Sequence, residues 1–95
     1  LKRIPDGGRF YITVDADGMD PTVMPAVNAP TPGGLTWLQI RKFVHGIVKK
    51  GRVLGIDLVE ISPSFENGNI TFVHAERLLC NFIGAAVRAD YFEDE

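Results

Sequence analysis

The stretch that decides the fold is FYITVDAD, residues 10–17. Residues 10–14 are all aromatic or β-branched, and turn-forming residues lie on both sides of them. A run this short does not make a helix, so the pattern predicts a β-strand that is buried on both faces. Two carboxylates, Asp15 and Asp17, follow at the carboxyl end of that strand.

A helix and a second strand are predicted downstream. Thr36 and Gln39 form a capping-box pattern. Apolar residues then follow at helical spacing, and a basic turn and Gly51 end the helix. The apolar run VLGIDLVEI, residues 53–61, predicts the second strand. Strand, helix and strand in this order predict a right-handed parallel βαβ unit.

A second helix is predicted after a polar turn at residues 64–69. Thr71 is expected to open this helix, and Cys80 is expected to pack in the core among its apolar residues. The acidic tail, residues 91–95, is expected to fray. Two helices do not easily cover both faces of a sheet, and the first residue is Leu1 rather than Met. We therefore expect a fragment or one end of a larger α/β domain.

Composition argues against several classes of protein. The net charge is −2, with ten Lys and Arg against twelve Asp and Glu, so binding of nucleic acid through a basic surface is not expected. A single Cys forms no internal disulfide, which excludes a disulfide-stapled secreted miniprotein. The uninterrupted apolar runs are short, so neither a transmembrane helix nor a membrane partner is expected.

The strand-end carboxylates predict a site for a divalent cation. If the strand continues through Asp17, its period of two directs the side chains of Asp15 and Asp17 the same way. Hard cations such as Mg²⁺ and Mn²⁺ prefer oxygen ligands of this kind. Glu60 ends the second strand, and open parallel sheets bind ligands at this edge. The alternative is a strand-ending turn in which the aspartates only cap the backbone.

Three other kinds of site fit less well. An EF-hand loop that starts at Asp15 requires Gly and Glu where the chain has Asp20 and Ala26. The sequence DADG matches the first half of a Mg²⁺-dependent phosphotransferase motif, but Met19 stands in place of its Thr. A Ser- or Cys-based hydrolase requires an exposed nucleophile beside a base, whereas Cys80 is expected in the core.

Residues 13–34, TVDADGMDPTVMPAVNAPTPGG, closely resemble the signature of the ureohydrolase family, which includes arginase, agmatinase and guanidinobutyrase. Ala16 is smaller than the family's usual aliphatic residue. Residues 55–63, GIDLVEISP, resemble the family's second block, and the closing helix resembles its last helix. The two blocks lie in the correct order, and the resemblance covers residues 10–88. The matched signature positions are Thr13, Val14, Asp15, Ala16, Asp17, Pro21, Pro25, Ala26 and Gly34.

The resemblance implies a fold and an activity. Residues 1–95 would be the carboxyl-terminal portion of one arginase-like three-layer α/β/α domain with a mainly parallel sheet, its amino-terminal portion absent. The complete protein would hydrolyse a guanidino compound, most like agmatine, to an amine and urea with two Mn²⁺ ions. Asp15 would bridge both ions, Asp17 would bind one, and Glu60 would receive the guanidinium. Residues 24–34 would line the entrance.

The family's other metal ligands come from a Gly-Gly-Asp-His block and an Asp-Ala-His-x-Asp block, and neither occurs in this sequence. His45 and His74 lie at positions that the family does not use, so structural or solvent-facing roles are expected. The isolated chain is therefore predicted to be inactive and to bind Mn²⁺ weakly. A noncatalytic interaction module on the same scaffold is the alternative. The family also implies a homo-oligomer, a trimer or hexamer, and a cytoplasmic location is expected.

Overall fold

A parallel strand–helix–strand unit forms the centre of the chain. The computed structural model describes residues 1–65 and 68–93. Strand β1 spans Arg9–Asp15, helix α1 spans Trp37–Lys50, strand β2 spans Arg52–Val59 and helix α2 spans Ile70–Arg88. The two strands pair in parallel. The predictions of an α/β class and of a parallel βαβ unit are confirmed.

Helix α1 begins with the capping box that the sequence predicts. The Thr36 hydroxyl accepts the Gln39 backbone N–H at 3.2 Å, and the Gln39 side chain accepts the Thr36 N–H at 3.0 Å. This exchange satisfies two backbone donors that a helix start leaves without partners. The helix ends after two lysines, whose charge suits the carboxyl end of the helix dipole. Its buried residues are Ile40, Val44, Ile47 and Val48.

Helix α2 differs from the sequence prediction at two residues. Thr71 does not open it, because the helix begins at Ile70 and Thr71 is fully buried inside its first turn. The Thr71 hydroxyl instead accepts the Ala26 backbone N–H at 2.9 Å, which ties the helix to the loop after β1. The prediction for Cys80 is also wrong, because its side chain is exposed. It lies on a different side of the helix from the buried residues Ala75, Leu78, Ala85 and Ala86.

Helix α2 is long and apolar enough to contradict a second expectation from the sequence, that no helix could span a membrane. By length and composition alone its 19 residues are enough to cross a membrane, so the expectation that no such helix exists is wrong. Core helices of soluble proteins pass the same test. In this chain α2 contributes Ala75, Leu78 and Ala85 to the hydrophobic core.

The sheet is buried on one face and open on the other. Ile12 and Val14 are buried and belong to the same core as the apolar residues of both helices. Tyr11, which alternates with them, is 63% exposed. The prediction of burial on both faces is therefore wrong for the described residues, which supply two helices and one core. The open face carries the side chains of Tyr11, Thr13 and Asp15 from β1.

The start of the tail is anchored, so the prediction of fraying is wrong there. The Tyr91 hydroxyl accepts the Val53 N–H at 2.8 Å and donates to the Gly51 carbonyl at 3.0 Å. The Arg52 guanidinium lies 4.2 Å from the centre of the Tyr91 ring. Residues 94–95 of the tail, and residues 66–67 of the predicted polar turn, lie outside the described residues.

Candidate metal centre at the strand ends

Asp15 and Asp17 lie on a tight turn rather than on one continuous strand. Strand β1 ends at Asp15, and residues Ala16–Gly18 form a 3₁₀ turn. The Asp15 carboxylate accepts the Asp17 backbone N–H at 2.8 Å and so caps this turn. The strand-period argument for their shared direction is therefore wrong. A carboxylate offers about four lone-pair sites, so capping leaves Asp15 able to bind a cation as well.

Asp17 has an unsatisfied oxygen. Its Oδ1 atom is buried and accepts no hydrogen bond, a condition that it shares only with Asp57 Oδ1 among the side-chain atoms of the described residues. A buried acceptor without a donor costs about 1–3 kcal/mol. A hard divalent cation would remove that cost by binding the oxygen. The two carboxylates thus have the chemistry that a Mn²⁺ or Mg²⁺ site requires.

Glu60 lies at the same edge of the sheet as Asp15. Asp15 pairs with Val59, the last residue of β2, and Glu60 follows immediately. Glu60 is exposed, and its backbone adopts a left-handed φ of 72°. That conformation is unfavourable for a residue with a Cβ, and strain of this kind concentrates at functional sites. The sequence alone does not signal it, because left-handed backbone is associated with Gly and Asn.

The described residues do not form a complete metal site. Among them, no three His, Cys, Asp or Glu side chains converge into a group that could hold a metal ion. Both histidines have structural contacts, as the sequence analysis predicted. His74 bonds the Val23 carbonyl and stacks on Trp37 with 5.6 Å between ring centres, and His45 bonds Asn81 at 2.9 Å. The other ligands of a complete site would have to come from outside these residues.

The loop after the carboxylates is closed by Asp20, a residue that the sequence analysis did not single out. Its Oδ1 accepts the N–H and the hydroxyl of Thr22 at 2.9 and 2.7 Å, and its Oδ2 accepts the Gly33 N–H at 2.9 Å. A Cβ on Gly34 would lie 2.7 Å from the Gly18 carbonyl oxygen, so only glycine fits this close approach. The two ends of the loop, at residues 18–20 and 33–34, are therefore held together immediately after Asp17 in the chain.

Only part of this loop is free to line an entrance. Met24, Ala26 and Val27 are buried in the core, whereas residues 28–33 are exposed. The predicted entrance role of residues 24–34 is therefore wrong for these three buried residues. Residues 28–33 remain the part of the loop that reaches solvent.

The hydrogen bonds from Thr22 and Gly33 to the Asp20 carboxylate are here called the Asp20 clamp. We predict that this clamp makes the stability of the fold depend on pH. Hydrogen bonds from the Thr22 side chain, and then from the Thr22 and Gly33 N–H groups, hold the pKa of Asp20 below its ordinary 3.8. A lowered pKa in the folded state stabilises the fold above pH 3.8, and this contribution is lost as the pH falls through the folded-state value. Asp20→Asn should therefore be less stable than the wild type at neutral pH, with the difference shrinking in acid.

Thermal unfolding midpoints of both proteins between neutral pH and acid would measure this difference. Glu76→Gln, which removes one charge from an exposed position within α2, is the control. A constant difference between Asp20→Asn and the wild type at every pH would contradict the prediction.

The fold and the candidate site define a class: α/β proteins that carry acidic residues at the carboxyl ends of neighbouring parallel strands. Comparison with known proteins then identifies the family. The chain belongs to the Arginase family, whose model matches residues 1–84.

Individual relatives agree with this assignment. The chain is 37% identical over 81 residues to the N(1)-aminopropylagmatine ureohydrolase of Thermus thermophilus, covering 85% of this chain and 26% of that protein. It is 34% identical over 83 residues to the agmatinase of Chromobacterium violaceum, covering 87% of this chain and 26% of that protein. The chain thus spans about a quarter of the length of these curated relatives.

The solved structures show the same fold. The agmatine ureohydrolase of Thermoplasma volcanium superposes with a TM-score of 0.76 at 39% identity, covering 90% of this chain and 28% of that one. The chain is therefore part of an arginase-like α/β domain. A sheet with one open face is what one part of a layered α/β domain presents by itself.

Proposed function

We propose that this chain supplies two metal ligands and one substrate-binding carboxylate to an enzyme that hydrolyses a guanidino compound, agmatine-like in character, to an amine and urea. The observation that carries the proposal is the buried, unpaired Asp17 Oδ1 beside Asp15, with Glu60 on the neighbouring strand at the same edge. Family membership supports hydrolysis of guanidino compounds, since relatives named as ureohydrolases and agmatinases match most of the chain.

Each carboxylate has a role that follows from its chemistry. Asp15 and Asp17 would hold two Mn²⁺ ions, which when bound supply a water of lowered pKa at neutral pH. Glu60 would bind the guanidinium, a planar cation whose paired N–H donors match the two oxygens of a carboxylate. The reaction adds water across the guanidinium carbon–nitrogen bond and releases an ammonium ion and urea, so atoms and charge balance.

The turn geometry supports a role for Asp15 in a preformed site. The bond from the Asp17 backbone N–H to Asp15 Oδ1 orients the Asp15 carboxylate beside Asp17 before a cation arrives. Such preorganisation lowers the entropy cost of assembling a site. The Asp20 clamp holds the segment that follows Asp17. A trimer or hexamer and a cytoplasmic location stay predictions.

We predict that the isolated 95-residue chain releases no urea, and that a fusion protein does. In the fusion protein, the amino-terminal remainder of the Thermus thermophilus relative precedes Leu1. Urea release from agmatine, N(1)-aminopropylagmatine and arginine, with and without Mn²⁺, would measure the activity. Robust release by the isolated chain would refute its predicted inactivity. A folded fusion protein that contains Mn²⁺ and hydrolyses none of these guanidino compounds would contradict the proposed function.

A further inference from the structure

The open face of the sheet carries a second carboxylate with an unpaired oxygen, that of Asp57 on β2. Its Oδ1 atom is buried and accepts no hydrogen bond from the described residues, whereas its Oδ2 accepts the Tyr11 hydroxyl at 3.1 Å. Buried acceptors normally have a donor, so each exception calls for an explanation. Asp17 also has a buried oxygen without a donor, and a bound cation is the expected partner of that oxygen. The family resemblance implies no such partner for Asp57.

The register places Asp57 close behind the candidate metal centre. Thr13 pairs with Asp57, and Asp15 pairs with Val59. Paired residues lie on the same face of a parallel sheet, so Asp57 and Asp15 share the open face as diagonal neighbours. Neighbouring strands are about 4.8 Å apart and each residue rises about 3.3 Å, which puts the two Cα atoms about 8 Å apart. A carboxylate at this distance attracts a cation bound at Asp15 electrostatically.

Two residues hold Asp57 in this state. A Cβ on Gly55 would lie 2.7 Å from the Tyr11 ring, so the glycine allows the ring to cross β2 and reach Asp57. The hydrogen bond to Asp57, and then its charge, raise the pKa of the Tyr11 hydroxyl above its ordinary 10.0. Like an ordinary tyrosine hydroxyl, it is a protonated donor at neutral pH. It orients one oxygen of Asp57 and leaves the other one available.

We propose that Asp57 is a positioning residue of the metal centre. Its unpaired oxygen accepts a hydrogen bond from a donor in the ligand shell of the cation, and its charge strengthens cation binding at Asp15 and Asp17. Carboxylates behind the direct ligands commonly orient metal sites in this way. The inference rests on the proposed metal centre and adds a residue to it.

The test is a Mn²⁺ titration of the ¹⁵N-labelled 95-residue chain, followed by paramagnetic broadening of its amide signals, which detects weak binding. In the wild type, the amides of residues 15–18 should broaden first. Asp57→Asn should require about tenfold more Mn²⁺ for the same broadening. It should unfold at the same or a higher temperature without metal, because it removes a charge whose buried oxygen is unpaired. Glu76→Gln, on an exposed position of α2, removes one charge as the matched control.

The outcomes separate this inference from the proposed function. If Asp57→Asn titrates like Glu76→Gln while Asp17→Asn abolishes the broadening, the inference fails and the metal centre stands. If the wild-type chain shows no selective broadening, the proposed metal centre fails and the inference with it. A lower unfolding temperature of metal-free Asp57→Asn would make Asp57 a structural residue and overturn the inference.

Discussion

Asp17→Asn in the fusion protein is expected to reduce Mn²⁺-dependent urea release by about 100-fold or more, since even residues that only support metal ligands cost about 10–100-fold. The substitution keeps the shape of the side chain and removes the charge that a hard cation binds. Without metal, the variant should be as stable as the parent or more stable, by up to about 1 kcal/mol. The reason is that the buried Oδ1 has no donor to lose.

Three measurements check this prediction: bound Mn²⁺ per protein chain, urea release, and the unfolding midpoint of the metal-free protein. Glu76→Gln in the same fusion protein controls for the loss of one negative charge. Full Mn²⁺ content together with full activity in Asp17→Asn would exclude Asp17 as a metal ligand. A large loss of metal-free stability would instead make it a structural residue of the turn.

Glu60 is expected to contribute to activity at a cost in stability. Replacing its carboxylate by an amide, Glu60→Gln, should lower kcat/KM for agmatine by about 10- to 150-fold, because hydrogen bonds to charged groups contribute about 1.5–3 kcal/mol. Glu60→Gly should lose at least as much activity. It should also stabilise the fold by up to about 1 kcal/mol, since glycine adopts the left-handed backbone without the penalty that Glu60 has at φ 72°.

The two variants control for each other. Both remove the carboxylate, but only Glu60→Gly relieves the backbone, so their activities should fall together while their unfolding midpoints differ. Steady-state kinetics and thermal unfolding would measure both quantities. Unchanged kcat/KM in Glu60→Gln would contradict a guanidinium-binding role. Equal stability of the two variants would show that the left-handed backbone at this position has no cost.

Local sequence patterns predicted the elements of the fold with few errors. The Thr36 capping box, the apolar runs of both strands and the parallel pairing depend on neighbouring residues and on one helical crossover, and all agree with the structure. The errors lie where distant segments meet. Thr71 bonds Ala26 instead of capping a helix, and Tyr91 is held by Val53 and Gly51. These partners are 38 to 45 residues away in sequence, so spacing along the chain does not reveal them.

The candidate site shows the same difference between what local sequence patterns predict and what long-range contacts decide. Sequence and family resemblance named Asp15, Asp17 and Glu60, because a motif records which residue types stand at which spacing. The motif did not show that strand β1 ends at Asp15 and that a 3₁₀ turn carries Asp17, nor that Asp20 holds the following loop closed. It also gave no reason to select Asp57, whose importance comes from the register of the two strands and from Tyr11 on the opposite strand.

By itself, the sequence determined the order of the strands and helices, the carboxylates at the strand ends and the resemblance to one family of hydrolases. Each of these depends on residue type and local spacing, which the chain carries before it folds. Only the tertiary structure decided which carboxylate oxygens are buried without a donor, which face of the sheet stays open and where the backbone is strained at Glu60. Burial, hydrogen bonding and backbone strain depend on contacts between residues far apart in the chain, and those contacts exist only in the folded protein.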